Sequence, residues 1–247
     1  MERNIFQKGV LDQGLLARRF CIRGPSDEAL IFDIREMKRM GFNMVRKHIK
    51  IEPERWYYHC DRLGMIVWQD MVNGGERYHH WFVTYLANVM SWPGLTMKDN
   101  HSRLLSRQNQ DGRNEFVREV KETIKLLKNH PSICSWVIFN EGWGQFDAPK
   151  ATALIRALDN TRFINEACGW FDQRGGDMYS IHNYSAGLDV EAKEDRVVAL
   201  TEFGGYSYAV PGHLSCEKEF GYQSFTSREE LTAHYCELWK TRFIRIW

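Results

Sequence analysis

The strongest constraint on the fold is an alternation of short β-rich runs with amphipathic helical runs along most of the chain. The region after residue 41 shows it clearly, with a strand pattern at 42–49, a helix pattern at 53–64 and a strand pattern at 65–69. A strand, helix, strand order predicts a parallel sheet with helices packed outside it. Residues 133–140 are almost continuously apolar, which is typical of a strand buried on both faces. The pattern therefore predicts an α/β fold.

The remaining patterns bring the count to about seven predicted strands, at 5–11, 42–49, 65–69, 133–140, 162–167, 178–182 and 197–201. Helices are predicted at 26–40, 53–63, 114–129 and 149–158, with a last one that opens on the capping box Ser227–Glu230. Residues 71–112 are predicted to form a long aromatic loop region. Seven strands fit a doubly wound sheet or a (β/α)₈ barrel, and both folds bind ligands at the carboxyl ends of their strands. The chain lacks the glycine-rich phosphate-binding motifs, and this argues against nucleotide binding.

Charge and cysteine usage exclude several classes of protein. With 33 basic and 32 acidic side chains, the net charge is +1, and no basic stripe indicates a nucleic-acid partner. No apolar run reaches membrane-spanning length, and the N-terminus has no signal-peptide core. The six cysteines form no Cys-x-x-Cys or zinc-ligand spacing, so we predict no metal, buried free thiols and a reducing, cytoplasmic location.

Two glutamates stand out by their context. Glu141 and Glu202 each end a strongly apolar run and precede a glycine turn. A carboxylate at the end of a buried strand is partly desolvated, which costs free energy unless the group is paired or has a function. Two such carboxylates on different strands favour a catalytic dyad over two structural ion pairs. Paired carboxylates hydrolyse glycosides, and the amide of Asn140 is placed to hold a sugar hydroxyl. Aromatic side chains that suit stacking on sugars accompany them: Trp143, Phe146, Trp170, Tyr184, Phe203 and Tyr206.

At these positions the sequence resembles glycoside hydrolase family 2, which contains β-galactosidases, β-glucuronidases and β-mannosidases. Asn140–Asp147 and Thr201–Gly205 resemble the family's acid/base and nucleophile segments. The resemblance continues, in the family's order, at 43–48, 60–64, 67–70 and 181–184. An Asn-Glu pair alone would be a weak signal, whereas this ordered set covers nearly the whole chain.

The resemblance implies a (β/α)₈ catalytic domain and a retaining double displacement without a cofactor. Glu141 resembles the general acid/base and Glu202 the nucleophile. Arg46 and His48 lie two apart on one predicted strand and resemble residues that support the nucleophile and bind substrate. The other predicted substrate contacts are Asn140, Asp70, Trp143, Trp170, His182 and Tyr184.

Purely structural roles stay open for some of these residues, namely His48, His182 and Asp70. We interpret the loop histidines His79, His80 and His101 as exposed or rim residues, because they lack metal-ligand spacing. Asp61 and Arg62 are interpreted as part of a solvated helix face.

Two stretches depart from the family pattern. Relatives carry β-sandwich domains before the barrel and an eighth strand after it, so we expect 1–247 to be a single barrel domain with that last strand missing. Residues 15–24 read Leu-Leu-Ala-Arg-Arg-Phe-Cys-Ile-Arg-Gly, where relatives tend to read Gly-Tyr-Trp-Pro-Asp-Gly-Leu-Tyr-Thr. Codons for Tyr-Trp-Pro-Asp-Gly read one base earlier encode Leu-Leu-Ala-Arg-Arg. We interpret the stretch as a compensated frameshift, with a divergent loop as the alternative.

The sequence thus predicts a β-glycosidase that acts on a carbohydrate, with β-galactosides as the first substrates to consider. One alternative is a non-catalytic remnant that binds sugar, and the missing strand favours it. A second alternative is a (β/α)₈ enzyme of unrelated chemistry, such as a lyase. That enzyme would need a metal or phosphate site, and the sequence contains no motif for either.

Overall fold

A computed structural model describes residues 5–14, 26–77, 79, 81–86, 89, 96–184, 190–193, 195–212, 214 and 220–242. The stretch 15–24, interpreted above as an out-of-frame peptide, lies outside the described residues. The frameshift hypothesis therefore stays a prediction.

Five parallel strands form one sheet in the order in which they occur along the chain. They are β1 (Gly9–Asp12), β2 (Met44–Lys47), β3 (Ile66–Asp70), β4 (Ile133–Asn140) and β5 (Phe163–Cys168). The next two strands, β6 (Met178–Asn183) and β7 (Val197–Phe203), form a second parallel pair. A doubly wound sheet reverses its strand order at a switch point, whereas a (β/α)₈ barrel does not. The uninterrupted order is therefore that of a barrel.

Within the described ranges, the strands are accompanied by the α-helices α1 (Asp27–Arg39), α2 (Glu54–Leu63), α3 (Gln110–Leu127), α4 (Ala148–Leu158) and α5 (Arg228–Arg242). Their ends follow from local chemistry. The side chain of Ser26 accepts a hydrogen bond from the backbone N–H of Ala29 and so caps α1. Gly64 ends α2 with a φ of 66°, a left-handed conformation that costs glycine little. None of the helices in the described ranges combines the length and apolar composition needed to cross a membrane.

Several predicted boundaries were wrong. The predicted loop region 71–112 contains a π-helical turn at Trp81–Leu86 and the start of α3, because the Asn109 side chain caps that helix at Asp111 and Gly112. A short ribbon of β8 (Tyr206–Tyr208) and β9 (Gln223–Phe225) was not predicted, since three-residue strands leave no periodic signal.

The interpretation of Asp61 as part of a solvated helix face was also wrong. Its carboxylate accepts a hydrogen bond from the Ser132 N–H at 2.9 Å, and it lies 2.6 Å from Nδ1 of His130. Asp61 therefore ties α2 to the turn that precedes β4.

The five-stranded sheet and the β6–β7 pair together curve so that β2 and β7 approach each other. Nη1 of Arg46, on β2, lies 2.8 Å from Oε1 of Glu202, on β7. In a flat sheet these strands would be five spacings apart, roughly 24 Å at about 4.8 Å each, which is beyond the reach of an arginine. The carboxyl ends of the strands therefore converge on a common centre, as the predicted (β/α)₈ architecture requires.

The strands carry apolar side chains on both faces, which explains why β4 is apolar over most of its length. Trp136 and Ile138 point outward into the main core, where they join apolar side chains of the helices such as Phe116 and Ile124. Val137 points the other way, into a smaller inner cluster with Trp68, Cys168 and Met178. Burial of each large apolar side chain contributes about 1.5–3 kcal/mol. The rigid layer so formed supports the polar residues at the carboxyl ends.

Candidate active site

Glu141 directly follows β4 and adopts an unusual backbone conformation. Its φ is 53°, in the left-handed region that residues other than glycine seldom occupy. Two hydrogen bonds hold it there: its N–H donates to the Cys168 carbonyl at 2.9 Å, and its carbonyl accepts from Trp170 Nε1 at 2.8 Å. Such a conformation costs about 1–3 kcal/mol and persists only where the surroundings impose it, often at functional sites.

Glu202 lies on β7, and basic and hydroxyl groups surround its carboxylate. Oε1 accepts from Nη1 of Arg46 at 2.8 Å, and Oε2 accepts from the hydroxyl of Tyr184. Nε2 of His182 lies 3.5 Å from Oε1. Burial alone would raise the pKa of Glu202, but the charges of His182 and Arg46 and the bond from Tyr184 outweigh it and lower the pKa to about 2. The carboxylate is therefore ionised at neutral pH.

Arg46 links four strands at the centre of the site. Its guanidinium binds Asp70 through two hydrogen bonds of 2.9 and 2.8 Å, and Nη2 also donates to Oδ1 of Asn140 at 2.7 Å. Burial would lower the pKa of Arg46, yet the neighbouring carboxylates of Asp70 and Glu202 raise it, so the charge is permanent. A guanidinium with fixed partners on three sides holds Glu202 in one orientation.

His48 completes this group from the end of β2. Its Nδ1 lies 3.1 Å from Oδ2 of Asp70, and its side chain is half-buried. The structure therefore brings together Arg46, His48, Asp70 and Asn140, as the sequence predicted, although their contacts with a sugar stay predictions.

His182 lies between the two glutamates. Its Nδ1 is 2.9 Å from Oε1 of Glu141, and its side chain is 0% exposed. On the other side, Nε2 is 3.3 Å from Sγ of Cys168 and 3.5 Å from Glu202. Burial would lower the pKa of His182, but the negative charge of Glu202, the interaction with Cys168 and, last, the hydrogen bond to Glu141 raise it to about 10. The imidazole is therefore a cation that links the two carboxylates.

Tyr184 directly follows β6, two residues after His182, and has a second aromatic ring against it. Tyr222 stacks on Tyr184 with ring centroids 3.8 Å apart and an angle of 7° between the planes. Burial and the nearby charge of Glu202 raise the pKa of Tyr184, so its hydroxyl keeps the proton that it donates.

The sequence analysis missed two residues of this group, Cys168 and Tyr222. Cys168 ends β5 and was findable, because polar groups at strand ends meet at one face of the barrel. Tyr222 lies just before β9, beyond the unpredicted β8, so no sequence signal linked it to the site.

The two predicted tryptophan platforms belong to an apolar wall. Trp170 is 6% exposed and contacts His182 edge to face, with centroids 5.6 Å apart. Trp143 is half-buried and packs against the cluster that contains Trp170, Phe82 and Phe171. Trp170 therefore lies directly against His182 and Trp143 lies behind it in the cluster, and their stacking on a sugar stays a prediction.

The glutamates and His182 are close enough for joint chemistry. One carboxylate oxygen of Glu141, one ring nitrogen of His182 and one carboxylate oxygen of Glu202 lie within 4.8 Å of one another. Such a trio resembles a metal-binding group, but both ring nitrogens of His182 already face side chains, Nδ1 towards Glu141 and Nε2 towards Cys168 and Glu202. The arrangement suits instead one ionised carboxylate that attacks and a second that transfers a proton.

Parts of known proteins resemble this chain in sequence. The sequence profile described as "Glycosyl hydrolases family 2, TIM barrel domain" matches residues 21–243. A β-galactosidase of Streptococcus thermophilus is 26% identical over 146 residues, which are 59% of this chain and 13% of that protein. A β-mannosidase B of Thermothelomyces thermophilus is 29% identical over 92 residues, 37% of this chain and 8% of that protein. The chain thus matches only a small part of the length of its curated relatives.

Solved structures show the same fold. The FMN-binding β-glucuronidase of Facaelibacterium prausnitzii L2-6 superposes with a TM-score of 0.59 at 19% identity, over 88% of this chain and 33% of that one. A family 2 β-galacturonidase of Eisenbergiella tayi, bound to galacturonate, superposes with a TM-score of 0.50 at 18% identity, over 76% of this chain and 34% of that one. Because the family profile covers most of the sequence, the chain belongs to the family 2 glycosyl hydrolases and corresponds to their TIM barrel domain.

Proposed function

We propose that the protein is a retaining β-glycosidase in which Glu202 is the nucleophile and Glu141 is the general acid/base. The observation that carries the proposal is the pairing of two glutamates at the carboxyl ends of β4 and β7, with oxygens within 4.8 Å of each other. Retaining enzymes hold their carboxyl groups about 5–5.5 Å apart, whereas inverting enzymes leave about 6.5–9.5 Å for a water molecule. The short separation supports retention.

The surroundings of Glu202 support its role as nucleophile. A nucleophile must be ionised and oriented before substrate arrives. Arg46 and Tyr184 supply both conditions, because one contributes a fixed positive charge and the other a hydrogen bond to the second oxygen. Attack on the anomeric carbon breaks the bond to the leaving oxygen and forms a glycosyl ester on Glu202.

The position of Glu141 supports its role as acid and base. Its side chain is 26% exposed, against 10% for Glu202, so it is the more accessible of the two to a leaving group and then to water. Protonation of the leaving oxygen completes the first step. In the second step Glu141 takes a proton from water, which attacks the anomeric carbon and frees Glu202.

Relatives of this chain include a β-galactosidase and a β-mannosidase, so β-galactosides are the first substrates that we propose, within a wider class of β-glycosides. The test uses the full-length gene product and 4-nitrophenyl β-galactoside, β-glucoside, β-mannoside and β-glucuronide. We expect hydrolysis of at least one, with a β-anomer as the first product in proton NMR spectra. An α-anomer as the first product would overturn the retaining mechanism. A panel without hydrolysis would favour the non-catalytic, sugar-binding alternative.

A further inference from the structure

His182 contacts both glutamates, yet the two-carboxylate scheme gives it no task. It is the innermost titratable group of the site, with a side chain that is 0% exposed. The groups around it come from four strands and the segment after β5: Glu141, Cys168, Trp170, Tyr184 and Glu202. Glu141 and Glu202 are carboxylates, and a cation between them completes a buried trio of charges.

This trio creates a difficulty for the first chemical step. Glu141 must hold a proton in order to give it to the leaving oxygen. In the structure, however, its Oε1 lies 2.9 Å from Nδ1 of His182, a buried imidazole whose pKa is raised to about 10. A proton on Nδ1 of His182 is therefore within hydrogen-bond reach of the acid.

We propose that His182 stores the proton that Glu141 delivers to the leaving group, and that consumption of the charge on Glu202 releases it. This inference rests on the proposed function, because it assigns a proton source to that same reaction. His182 is here a positioning residue, since it acts on substrate only through Glu141.

Charge balance gives the release its physical cause. At rest the trio carries −1 on Glu141, +1 on His182 and −1 on Glu202. As Glu202 forms the glycosyl ester its charge disappears, so the imidazolium loses one of the two anions that stabilise it. The proton then moves from Nδ1 to Oε1 of Glu141 and on to the leaving oxygen, while the C–O bond breaks and its electrons go to that oxygen. The trio keeps a net charge of −1, on Glu141.

The second step reverses these transfers. Glu141 takes a proton from the attacking water, the ester bond to the anomeric carbon breaks, and Glu202 regains its negative charge. That charge restores the preference for a cation at His182, and the proton returns from Oε1 of Glu141 to Nδ1. No other donor or acceptor is required, and the enzyme regains its resting state.

The first test replaces the proton store by a neutral side chain, as His182→Gln, in the full-length gene product. We expect kcat/KM for an unactivated phenyl glycoside to fall by about 10²-fold, within the range for proton transfer by a positioned group. For a 2,4-dinitrophenyl glycoside, which needs little protonation, we expect a fall below about 3-fold by the same reasoning. The alkaline limb of the kcat/KM profile on the phenyl substrate should also move to lower pH. Equal losses on the two substrates, or an unmoved alkaline limb, would overturn the proposal.

A matched control is available at the opposite end of the barrel. His130 is also paired with a carboxylate, at 2.6 Å from Asp61, but lies before β4 rather than after it. His130→Gln removes a histidine–carboxylate pair far from the carboxyl ends of the strands. We expect this variant to change kcat/KM by the same factor for both substrates, or to leave both values unchanged.

A second test needs no variant and so does not depend on how His182→Gln folds. Nitrogen-15 NMR of the imidazole reports its charge directly, in the free enzyme and after trapping with a 2-deoxy-2-fluoro glycoside. We expect a cationic His182 at pH 7 in the free enzyme and a neutral one in the glycosyl-enzyme. A neutral His182 in the free enzyme, or a cationic one after trapping, would overturn the proposal. If no glycoside is hydrolysed or trapped, the proposed function fails, and the free-enzyme spectrum still tests the proton store.

Discussion

The two glutamates of this site have the same side chain but very different surroundings. Among the residues that the structure describes, Glu202 has three side-chain partners, namely Arg46, Tyr184 and His182. Glu141 shares only His182 with it, is 26% rather than 10% exposed, and owes its position to a strained backbone. The side chain of Glu202 is held in place by its side-chain partners. The position of Glu141 depends mainly on the conformation of its main chain.

This difference teaches how identical groups acquire distinct reactivities. A carboxylate between a guanidinium, an imidazolium and a phenol is stabilised as an anion, which suits a group that must attack. A carboxylate with one reversible partner and access to solvent can gain and lose a proton within a catalytic cycle. The variants below test each half of this comparison.

The largest effect is expected for Glu202→Gln, because it removes the proposed nucleophile. We expect kcat to fall by about 10⁴-fold or more, for activated and unactivated substrates alike, as for other covalent nucleophiles. A matched control is Glu166→Gln, which removes another buried carboxylate, bonded to Thr152 and Gln173 away from the site. Activity normalised to the amount of folded protein should be far lower in Glu202→Gln than in Glu166→Gln. Comparable activity in the two variants would contradict the assignment of Glu202 as nucleophile.

Glu141→Gln should have a smaller and selective effect. We expect a loss of about 10²–10⁴-fold on phenyl glycosides, which need a proton on the leaving oxygen. Dinitrophenyl glycosides should be largely spared in the glycosylation step, measured by the release of the first equivalent of phenol. The same loss on both substrates, with glycosylation rate-limiting, would count against Glu141 as the acid.

Arg46→Met tests whether the partners of Glu202 also support the fold. It leaves the carboxylates of Asp70 and Glu202 without their common cation, and loss of one member of a buried ion pair costs about 3–5 kcal/mol. Urea unfolding measures this directly. Arg156→Met removes a more exposed pair with Asp177 and should cost only about 0–1 kcal/mol. Equal losses would show that the central network contributes no more than a surface pair.

Tyr184→Phe removes a single hydrogen bond to Glu202. A hydrogen bond to a charged group is worth about 1.5–3 kcal/mol, so we expect kcat/KM to fall by roughly 10- to 100-fold. Tyr179→Phe on the same strand is the control, since its ring contacts Lys193 and does not need a hydroxyl for that contact. If both variants kept full activity, the bond from Tyr184 would not orient the nucleophile.

The last prediction concerns the dependence of stability on pH. The pKa of His182 is raised from 6.5 to about 10, so its contribution to stability is complete below pH 6.5 and is lost as pH rises towards 10. The melting temperature of the wild type should therefore fall between pH 7 and 10 more steeply than that of His182→Gln. Parallel curves for the two proteins would contradict a cationic His182.

The sequence predicted the parts of the molecule that depend on periodicity. Ile133–Asn140 was predicted to the residue, because a strand buried on both faces leaves an unbroken apolar run. Both glutamates were found because polar residues at strand ends stand out after such runs. The contacts of His182 with the two glutamates were not predicted from the sequence. The position of His182 relative to Glu141 depends on the curvature of the sheet rather than on any local pattern. Tyr222 was missed for a similar reason, because an irregular segment delivers it to Tyr184.

The ion pair between Arg46 and Glu202 also has a consequence for the order of folding. Its two residues are 156 positions apart in the sequence. Contacts of such separation form late, because closing a long loop costs entropy that earlier contacts must first offset. We therefore expect the five-stranded sheet to gain protection from hydrogen exchange before β7 docks, which pulsed-labelling experiments can detect. Until β7 docks, Arg46 lacks Glu202, and Asp70 compensates only part of its charge. We therefore expect the proposed catalytic centre to be among the last regions to become stable.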